Sequence, residues 1–386
     1  MRRLRVVRVY KNLDAGGGVQ TRLLELLPRL IELVDVRVLC YRARGSRADE
    51  LEALGIPVDV IPMGSKWAPW NVRRYVKYFR QHRPDVVHTH EYTANTLAVY
   101  AAWKAGVPVR IRHLHSMAPW GWGGALRTRA RIRSDRRAAR RAHVTLAVSE
   151  AVREVFLKAT GLPPSSCRVL YNGVDLSRYV DAREKGGAFR AELGIRRDAP
   201  VVGIVGRLSR GKGHETFLRV AHRVARETPG ATFLVVGEGG RRAALEALAS
   251  ELGLGDSVVF AGYRHDVAAA LGAMDVFLFT SSAEGGGRIQ DGLPGAVIEA
   301  MAAGVPVVAF ELPMMKEVLG TPPCGALVPE GDWEKMVDAT VTMLRDRAAR
   351  CRAGEAARSR AERFALQRTV RETVQLYREL AQRIGT

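Results

Sequence analysis

Short apolar runs alternate along the chain with longer stretches in which apolar residues recur every three or four positions. In the first half, the β-branched runs predict strands and the periodic stretches predict helices, the first of them over 19–33. Near-continuous apolar strands separated by helices are typical of a parallel sheet that is covered on both faces. The predicted strands are 4–10, 34–40, 58–62, 85–88, 108–112 and 144–148.

The pattern restarts near residue 200. A strand over 201–205, a glycine-rich loop and a helix over 214–227 open the second half, as a strand, a glycine loop (16–18) and a helix open the first. Such repetition is typical of doubly wound α/β folds. Further strands are predicted at 231–236, 257–260, 275–279 and 305–309.

The restart divides the chain into two predicted Rossmann-like domains, 1–180 and 199–365. The stretch 181–198 between them is rich in charged residues and glycine, which predicts a linker. The last helix, predicted over 366–382, has an apolar face. We therefore expect the C-terminal segment 366–386 to pack back on the first domain.

The strongest chemical signal is a glycine-rich loop that carries basic residues. From Gly206 to Gly213 the sequence is G-R-L-S-R-G-K-G, directly after a strand and before a helix. Glycines let the backbone approach a ligand, a helix N terminus offers free N–H groups, and Arg207 and Lys212 add charge, so the loop suits a diphosphate. The alternative is a solvated loop without a ligand. The G-x-x-x-x-G-K-[ST] order of a P-loop is absent.

A second motif places two carboxylates around the start of a later helix. The sequence from Asp291 to Glu299 is D-G-L-P-G-A-V-I-E, and Pro294 with Gly295 marks the helix start. Asp291 precedes the helix and Glu299 lies on its second turn, where both acids can bind sugar and ribose hydroxyls. The alternative is an acid that favours a helix N terminus and a solvated helix position.

Together these motifs resemble those of the retaining GT-B glycosyltransferases of family 4, also called glycosyl transferases group 1. The helix motif continues as E-A-M-A-A-G-V-P-V-V from Glu299, as in that family. Further segments resemble the family in the same order along nearly the whole chain. They are G-G-G-V from Gly16, D-V-V-H-T-H from Asp85, A-V-S-E from Ala147, Y-N-G-V-D from Tyr171, V-G-E-G from Val236, F-A-G-Y from Phe260, and the closing segment 363–380.

The resemblance implies a GT-B fold, α/β, in which two Rossmann-like doubly wound domains face a deep cleft. It implies a hexosyltransferase that moves a hexose-type sugar from a UDP- or GDP-sugar, with retention, to a hydroxyl of a glycan, lipid-linked or phosphorylated acceptor. Cell-surface polysaccharide or glycolipid synthesis is the expected setting. We expect no cofactor and no metal, since the chain contains no Asp-x-Asp motif and its four cysteines lack ligand spacing.

The resemblance also assigns roles on the donor side. Arg207 and Lys212 would neutralise the diphosphate of the leaving nucleotide. Glu299 would bind the ribose hydroxyls, and Asp291 would contact the transferred sugar. The family usually has Glu at the latter position, so Glu284 is an alternative to Asp291; the spacing to Glu299 favours Asp291.

In the first domain the resemblance places an important histidine after the strand at 108–112. His115 is the first choice for a contact with the donor sugar, and His113 is the second. The alternative is that either of them, like His88 and His90, has only a structural role. The predicted catalytic residues are His115, Arg207, Lys212 and Asp291. The other predicted donor-side positions are Gly17, Gly18, Gly206, Gly237, Tyr263, Gly292, Leu293, Glu299, Asn172, Pro294 and Gly295.

The formal net charge of +20 predicts an anionic partner. Residues 127–141 contain eight arginines and a single acid, Asp135. Basic helices beside tryptophans suit an anionic membrane surface, so 117–141 is predicted to contact one. The alternative is a solvated helix beside a soluble acceptor pocket. The apolar side chains that suggest the membrane are expected to be exposed: Met117, Trp120 and Trp122, with a second patch at Trp67, Pro69 and Trp70.

The start of the chain is a basic strand without a long apolar core, which does not predict a signal peptide, and no apolar run is long enough to span a bilayer. We expect a cytoplasmic protein, or one that is peripheral on the inner face of the cell membrane. A nucleic-acid-binding protein would also explain the charge, but RRM, zinc and helix-turn-helix patterns are missing, so no nucleic acid is expected. Other GT-B enzymes, such as epimerases or phosphorylases, and an inactive nucleotide-sugar-binding relative are further alternatives.

Overall fold

A computed structural model describes residues 2–14, 18–63, 69–117, 120–121, 124–282 and 291–385. By its internal contacts the chain divides into two compact units. Unit 1 comprises Met1–Gly173, Asp291–Leu293 and Leu366–Thr386, and unit 2 comprises Val174–Gln290 and Pro294–Ala365.

Unit 1 is built on a parallel sheet with the strand order β3-β2-β1-β4-β5-β6-β7 among the described residues. Each of the first six strands falls within two residues of the predicted limits, whereas β7 was not predicted. The strands are β1 Arg5–Tyr10, β2 Asp35–Cys40, β3 Val58–Val60, β4 Val86–His90, β5 Val109–Leu114, β6 Val144–Ala147 and β7 Cys167–Val169.

Helices cover this sheet, and the closing helix of the chain completes one of its cores. Apolar residues of β1 and α1, such as Val6 and Leu27, share a buried cluster with Val374 and Leu380 of α16. A π-helical turn over Ala94–Ala98 joins α4 to α5. The helices of unit 1 are α1 Gly18–Leu30, α2 Ala48–Ala53, α3 Pro69–His82, α4 Glu91–Thr93, α5 Val99–Lys104, α6 Ala125–Ala139, α7 Glu150–Thr160 and α16 Leu366–Ile384.

Unit 2 has the strand order β10-β9-β8-β11-β12-β13, which repeats the order of the first six strands of unit 1. The pairings are parallel throughout, as the uninterrupted apolar runs predict. The short last strand was not predicted. The strands are β8 Val201–Val205, β9 Thr232–Val236, β10 Val258–Gly262, β11 Val276–Phe279, β12 Val307–Phe310 and β13 Ala326–Val328.

The helices of unit 2 lie between these strands and after them. The helix α9 that follows the basic loop begins and ends at the predicted residues, 214 and 227. No helix in the described part of the chain is long and apolar enough to cross a membrane. The helices are α8 Ala182–Glu192, α9 His214–Glu227, α10 Arg242–Glu251, α11 Val267–Gly272, α12 Gly295–Ala302, α13 Pro313–Leu319, α14 Trp333–Arg345 and α15 Arg347–Ala361.

The predicted linker at 181–198 is wrong. Most of this stretch forms α8, which packs on α11 as part of unit 2. Gly186 lies directly against the backbone of Gly272, where a Cβ atom would come well inside 3.0 Å. The glycine that suggested flexibility instead permits two helices to approach closely.

Candidate active site

The basic loop of unit 2 ends at a glycine that no other residue can replace without strain. Gly213, immediately before α9, has a φ of +76°, and a Cβ there would lie inside 3.0 Å of the Thr280 carbonyl oxygen. The Thr280 hydroxyl donates a 2.7 Å hydrogen bond to the Gly213 carbonyl. The start of α9 is thereby held against the end of β11, and no described side chain caps its first N–H groups.

Backbone contacts also join the carboxyl ends of the three neighbouring strands. The Gly206 N–H donates to the Val236 carbonyl at 2.9 Å, and the Gly237 N–H donates to the Gly262 carbonyl at 2.8 Å. Gly237 has a φ of +138° and leaves no space for a Cβ against the Gly206 carbonyl. In doubly wound sheets ligands bind at this edge. Tyr263, just after β10, is 53% exposed there.

The two predicted diphosphate ligands lie on this loop with different exposure. Arg207 is exposed and Lys212 is half-buried. His214, the first residue of α9, is buried, and burial lowers its pKa to about 4. Sequence reasoning missed this histidine, whose neutral ring adds no charge at the helix start.

The predicted ribose ligand lies on α12. Pro294 adopts an extended conformation before the first turn, as the sequence predicts, and Gly295 begins the helix. Glu299 is 9% exposed and belongs to unit 2. A carboxylate so far removed from water requires polar partners or a ligand.

The segment Asp291–Leu293 belongs to unit 1, where it meets the end of β5. Asp291 forms an antiparallel bridge with Ser116, and the Ser149 hydroxyl donates a 2.6 Å hydrogen bond to the Gly292 carbonyl. A Cβ on Gly292 would lie 2.7 Å from the His115 carbonyl oxygen. The structure therefore brings His115 together with Asp291, Gly292 and Leu293, although 176 positions separate His115 from Asp291 in the chain.

Two predicted residues, Gly17 and Glu284, lie outside the described residues. Gly18 is the first residue of α1. The alternative between Glu284 and Asp291 as the contact of the donor sugar therefore stays open.

The register of the unit 1 sheet assembles a buried group of histidines around one arginine. Arg8 on β1 pairs with His88 on β4, and His90 on β4 pairs with His113 on β5. Side chains two residues apart on a strand share a face, so all four point to the same side of the sheet. Each is at most 3% exposed. His115, just after β5, extends the group, and its ring centroid lies 5.1 Å from that of His90.

Hydrogen bonds run through this group in two branches from Arg8. In one branch, Arg8 contacts His90 Nε2 at 3.0 Å, and His90 Nδ1 lies 2.9 Å from His115 Nε2. His115 Nδ1 in turn lies 3.2 Å from the side-chain amide of Asn172. In the other branch, Arg8 donates to the Tyr377 hydroxyl at 3.2 Å, which lies 2.7 Å from His88 Nδ1.

Burial keeps these imidazoles neutral. Desolvation is the main cause, and the positive charge of Arg8 acts in the same direction. The pKa values of His88, His90 and His113 fall well below the usual range, and that of His115 falls to about 3. Sequence reasoning treated His88 and His90 only as structural alternatives and did not consider Arg8.

Neutral imidazoles are zinc ligands, and one nitrogen each from His88, His90 and His113 lies within 4.8 Å of the others. Both nitrogens of His90 are already hydrogen-bonded, however, one of them to the guanidinium of Arg8. A dication bound there would lie beside a buried positive charge. The arrangement therefore does not fit a divalent metal ion.

The basic helix α6 combines a buried acid with an exposed cationic surface. Its lone acid, Asp135, is buried in an ion pair with Arg112, and the indole N–H of Trp120 donates to Asp135 at 3.1 Å. The prediction that Trp120 is exposed is therefore wrong, because the hydrogen bond to Asp135 holds its indole in the interior. Trp70 is 62% exposed, and Trp67 and Trp122 lie outside the described residues. The exposed arginines are Arg127, Arg129, Arg133, Arg136, Arg137 and Arg140.

Two family models match consecutive parts of the chain. Residues 16–178 match the model for glycosyltransferase family 4, and residues 187–360 match the model for glycosyl transferases group 1.

Similar proteins have comparable length. The chain is 27% identical over 346 residues to a 2-deoxystreptamine N-acetyl-D-glucosaminyltransferase of Streptomyces fradiae, which covers 83% of this chain and 80% of the relative. It is 25% identical over 277 residues to an Escherichia coli UDP-Gal:alpha-D-GlcNAc-diphosphoundecaprenol alpha-1,3-galactosyltransferase, covering 70% and 69%. The crystal structure of Anabaena HepE with UDP superposes with a TM-score of 0.84 and 23% identity, over 97% of this chain and all of HepE. HepE has also been crystallised with UDP-glucose.

Proposed function

Since the chain belongs to the GT-B glycosyltransferases of family 4, we propose that it moves a hexose-type sugar from a UDP- or GDP-sugar to a hydroxyl of a glycan, lipid-linked or phosphorylated acceptor. The observation that carries this proposal is the loop from Gly206 to Gly213. Its last residue, Gly213, packs against the Thr280 backbone without space for a side chain, the loop leads into an uncapped helix, and it carries Arg207 and Lys212.

The donor diphosphate would lie over this loop. The first N–H groups of α9 and the two cations would bind phosphate oxygens, and their attraction would grow as the leaving nucleotide gains charge. Glu299 would accept hydrogen bonds from the ribose hydroxyls, and Asp291 and His115 would contact the transferred sugar. Of UDP and GDP we propose UDP as the nucleotide of the donor. HepE was crystallised with UDP and UDP-glucose, and the Escherichia coli relative is named for UDP-Gal.

We further propose that the reaction retains the configuration of the anomeric carbon. The acceptor hydroxyl oxygen would bond to that carbon on the face from which the nucleotide leaves, as the bond from carbon to the phosphate oxygen breaks. The departing phosphate would take the proton of the acceptor. This route requires no general base, because the phosphate accepts the proton. It requires no metal, because Arg207, Lys212 and the helix N terminus supply the positive charge.

On the acceptor side we propose an anionic or lipid-linked molecule, in cell-surface polysaccharide or glycolipid synthesis. The exposed arginines of α6 favour contact with an anionic membrane surface, and the Escherichia coli relative is named for a diphosphoundecaprenol-linked acceptor. The protein would then be peripheral on the inner face of the membrane.

Nucleotide release from a panel of donors tests the proposal. UDP-glucose, UDP-galactose, UDP-N-acetylglucosamine and GDP-mannose are each incubated with the protein, with and without a bacterial lipid extract. We expect one donor to release its nucleotide faster when the extract is present, and the product to carry the sugar with the anomeric configuration of the donor by NMR. Nucleotide release from none of them, or an inverted product, would contradict the proposal.

A further inference from the structure

Arg8 is a buried cation, and no carboxylate in the described part of the chain pairs with it. Its hydrogen-bond partners are the hydroxyls of Tyr10 and Tyr377 and the Nε2 atom of His90. A guanidinium has five N–H donors, no acceptor, and does not lose its proton in proteins. Every hydrogen bond of Arg8 therefore points outward from it, which fixes the direction of the bonds beyond.

The first branch can be followed atom by atom. Arg8 donates to His90 Nε2, so that atom carries a lone pair and His90 is neutral with its proton on Nδ1. His90 Nδ1–H then donates to His115 Nε2 at 2.9 Å, so His115 in turn carries its proton on Nδ1.

The first branch ends at the side-chain amide of Asn172, and the tautomer of His115 determines the orientation of that amide. His115 Nδ1 carries a proton and must donate. The amide nitrogen of Asn172 lies 3.2 Å from it, so the amide has to be turned by 180°, which brings its carbonyl oxygen to His115 as the acceptor. An Asn172 NH2 group in that place would require His115 to accept on both nitrogens, which a neutral imidazole cannot do.

The second branch gives the opposite result. The Tyr377 hydroxyl accepts from Arg8, and donation to His88 Nδ1, 2.7 Å away, is the arrangement that gives the hydroxyl proton an acceptor. His88 then carries its ring proton on Nε2. One arginine thus imposes different tautomers on two histidines of the same strand.

We propose that Arg8 is a positioning residue that, through His90, holds His115 as the neutral tautomer with its proton on Nδ1. His115 then presents one polar hydrogen to a ligand and no free lone pair. It can donate a hydrogen bond to an oxygen of the donor sugar in place of Asn172, and it cannot take the proton of the acceptor. The kinetic consequence rests on the proposed function, whereas the tautomer itself does not.

The tautomers can be read directly in the unmodified protein. A long-range ¹H–¹⁵N spectrum of ¹⁵N-histidine-labelled protein distinguishes protonated from unprotonated ring nitrogens, with His115→Asn, His90→Asn and His88→Asn used for assignment. We expect protons on Nδ1 of His90 and His115 and on Nε2 of His88 at neutral pH. A His115 proton on Nε2, or a mixture of both forms, overturns the proposal.

Variants test whether Arg8 is the cause. Arg8→Met removes the donor and keeps an unbranched side chain, and Arg8→Lys restores a donor-only cation. We expect Arg8→Met to mix the tautomers of His115 and to lower kcat/KM for the donor roughly ten- to a hundredfold, with the affinity for UDP alone unchanged. Arg8→Lys should recover part of that loss. Unchanged His115 tautomers in folded Arg8→Met overturn the proposal.

Tyr377→Phe is the matched control. It removes a buried hydroxyl that also contacts Arg8, but it lies outside the branch to His115. We expect it to free the tautomer of His88 while those of His90 and His115 stay fixed. If it instead alters His115 as Arg8→Met does, general disturbance of the buried group explains the effect and the proposal fails.

Zinc provides an independent test, because a metal on His90 would displace the hydrogen bond to Arg8 if it bound Nε2, or the one to His115 if it bound Nδ1. Equilibrium dialysis against Zn²⁺ should show no stoichiometric binding that His113→Asn removes. Such binding would overturn the proposal. A protein that shows the expected tautomers but transfers no sugar would contradict the proposed function alone.

Discussion

The basic donor loop contains a third basic residue, Arg210, which has no predicted contact with the donor. Arg207, Arg210 and Lys212 lie within six residues on the same loop. We expect Arg207→Ala and Lys212→Ala each to lower kcat/KM by about ten- to a hundredfold, because each removes a charged hydrogen bond to the diphosphate worth about 1.5–3 kcal/mol. Steady-state kinetics with the active nucleotide sugar measure this.

Arg210→Ala is the control for that prediction, since it removes the same charge from the same loop. It should leave kcat/KM within about twofold. Equal losses in all three variants would show a general electrostatic attraction, and full activity in the first two would show that the donor binds elsewhere.

Alanine substitutions at two glycines of this loop would distinguish backbone strain from a steric clash. Gly211 and Gly213 both have positive φ, +81° and +76°, but only Gly213 lies against another chain segment, at Thr280. Alanine at Gly211 should cost about 1–2 kcal/mol of stability, the cost of a left-handed alanine. Alanine at Gly213 should cost more and should also weaken UDP binding, because α9 would have to move from β11.

Chemical denaturation and calorimetric UDP titration of both variants measure this difference. Equal stability and equal UDP affinity would contradict the close contact at Gly213.

At the scale of elements, the contact of α8 with α11 predicts that alanine substitutions at two adjacent glycines change the stability of unit 2 in opposite directions. Gly187 faces open space, so Gly187→Ala should stabilise the helix by about 0.5–1 kcal/mol. Gly186 touches Gly272, so Gly186→Ala should destabilise unit 2 by about 1–3 kcal/mol through overpacking. Thermal unfolding of the two single variants measures both signs, and stabilisation by both would restore the linker interpretation.

The exposed face of α6 gives a prediction for membrane binding. Arg129, Arg133 and Arg136 are exposed and lie at helical spacing. Replacing all three with Gln should weaken binding to vesicles that contain phosphatidylglycerol by about 1 kcal/mol per charge, and binding should fall as salt rises. Vesicle co-sedimentation measures this.

A matched triple variant removes the same charge from unit 2, at Arg219, Arg347 and Arg352, which are also exposed. It should bind vesicles as the unmodified protein does. Equal losses would indicate that net charge alone, rather than α6, determines binding.

Most strands were predictable because they are buried on both faces and therefore appear as unbroken apolar runs, and most helices because one buried face gives them a helical period. The two missed strands, β7 and β13, have three residues each at the edge of a sheet; β3 is equally short and at an edge, but its V-D-V-I run was recognised as a strand. Helix α8 was missed because its pair of glycines suggested a flexible chain, whereas packing on α11 decides its structure.

In the candidate site, the glycine motifs were predictable, since positive φ and close backbone approach select one residue type. The role of Arg8 was not, because only the sheet register brings it to His90, 82 positions away. Trp120 was misplaced for a related reason: the acid that binds it, Asp135, belongs to a segment whose composition suggested full solvation.

At the scale of the whole molecule, the buried histidines make the folded state sensitive to acid. In the unfolded chain each would bind a proton below its usual pKa of about 6.5, whereas in the folded unit 1 the pKa values are far lower, about 3 for His115. The unfolded state therefore gains protons as pH falls from 6.5, and stability declines by about 1.4 kcal/mol per pH unit for each such histidine.

Urea denaturation between pH 7 and pH 4, followed by tryptophan fluorescence, measures this decline. Trp333 is the only tryptophan in the sequence of unit 2, so the fluorescence reports mainly on unit 1. His113→Gln should reduce the slope by about one proton. A slope that His113→Gln leaves unchanged would contradict the neutral state of that histidine.

The hydrogen bond between Arg8 and Tyr377 also has a consequence for the order in which the protein is made. The two residues are 369 positions apart, which at ribosomal rates is a delay of roughly 20 to 70 s. During that interval β1 and α1 are outside the ribosome without the helix that completes their core, while unit 2 is translated in full as far as residue 365. The first part of the polypeptide to be translated is thus the last to close, and it is the part that a nascent-chain chaperone would protect longest.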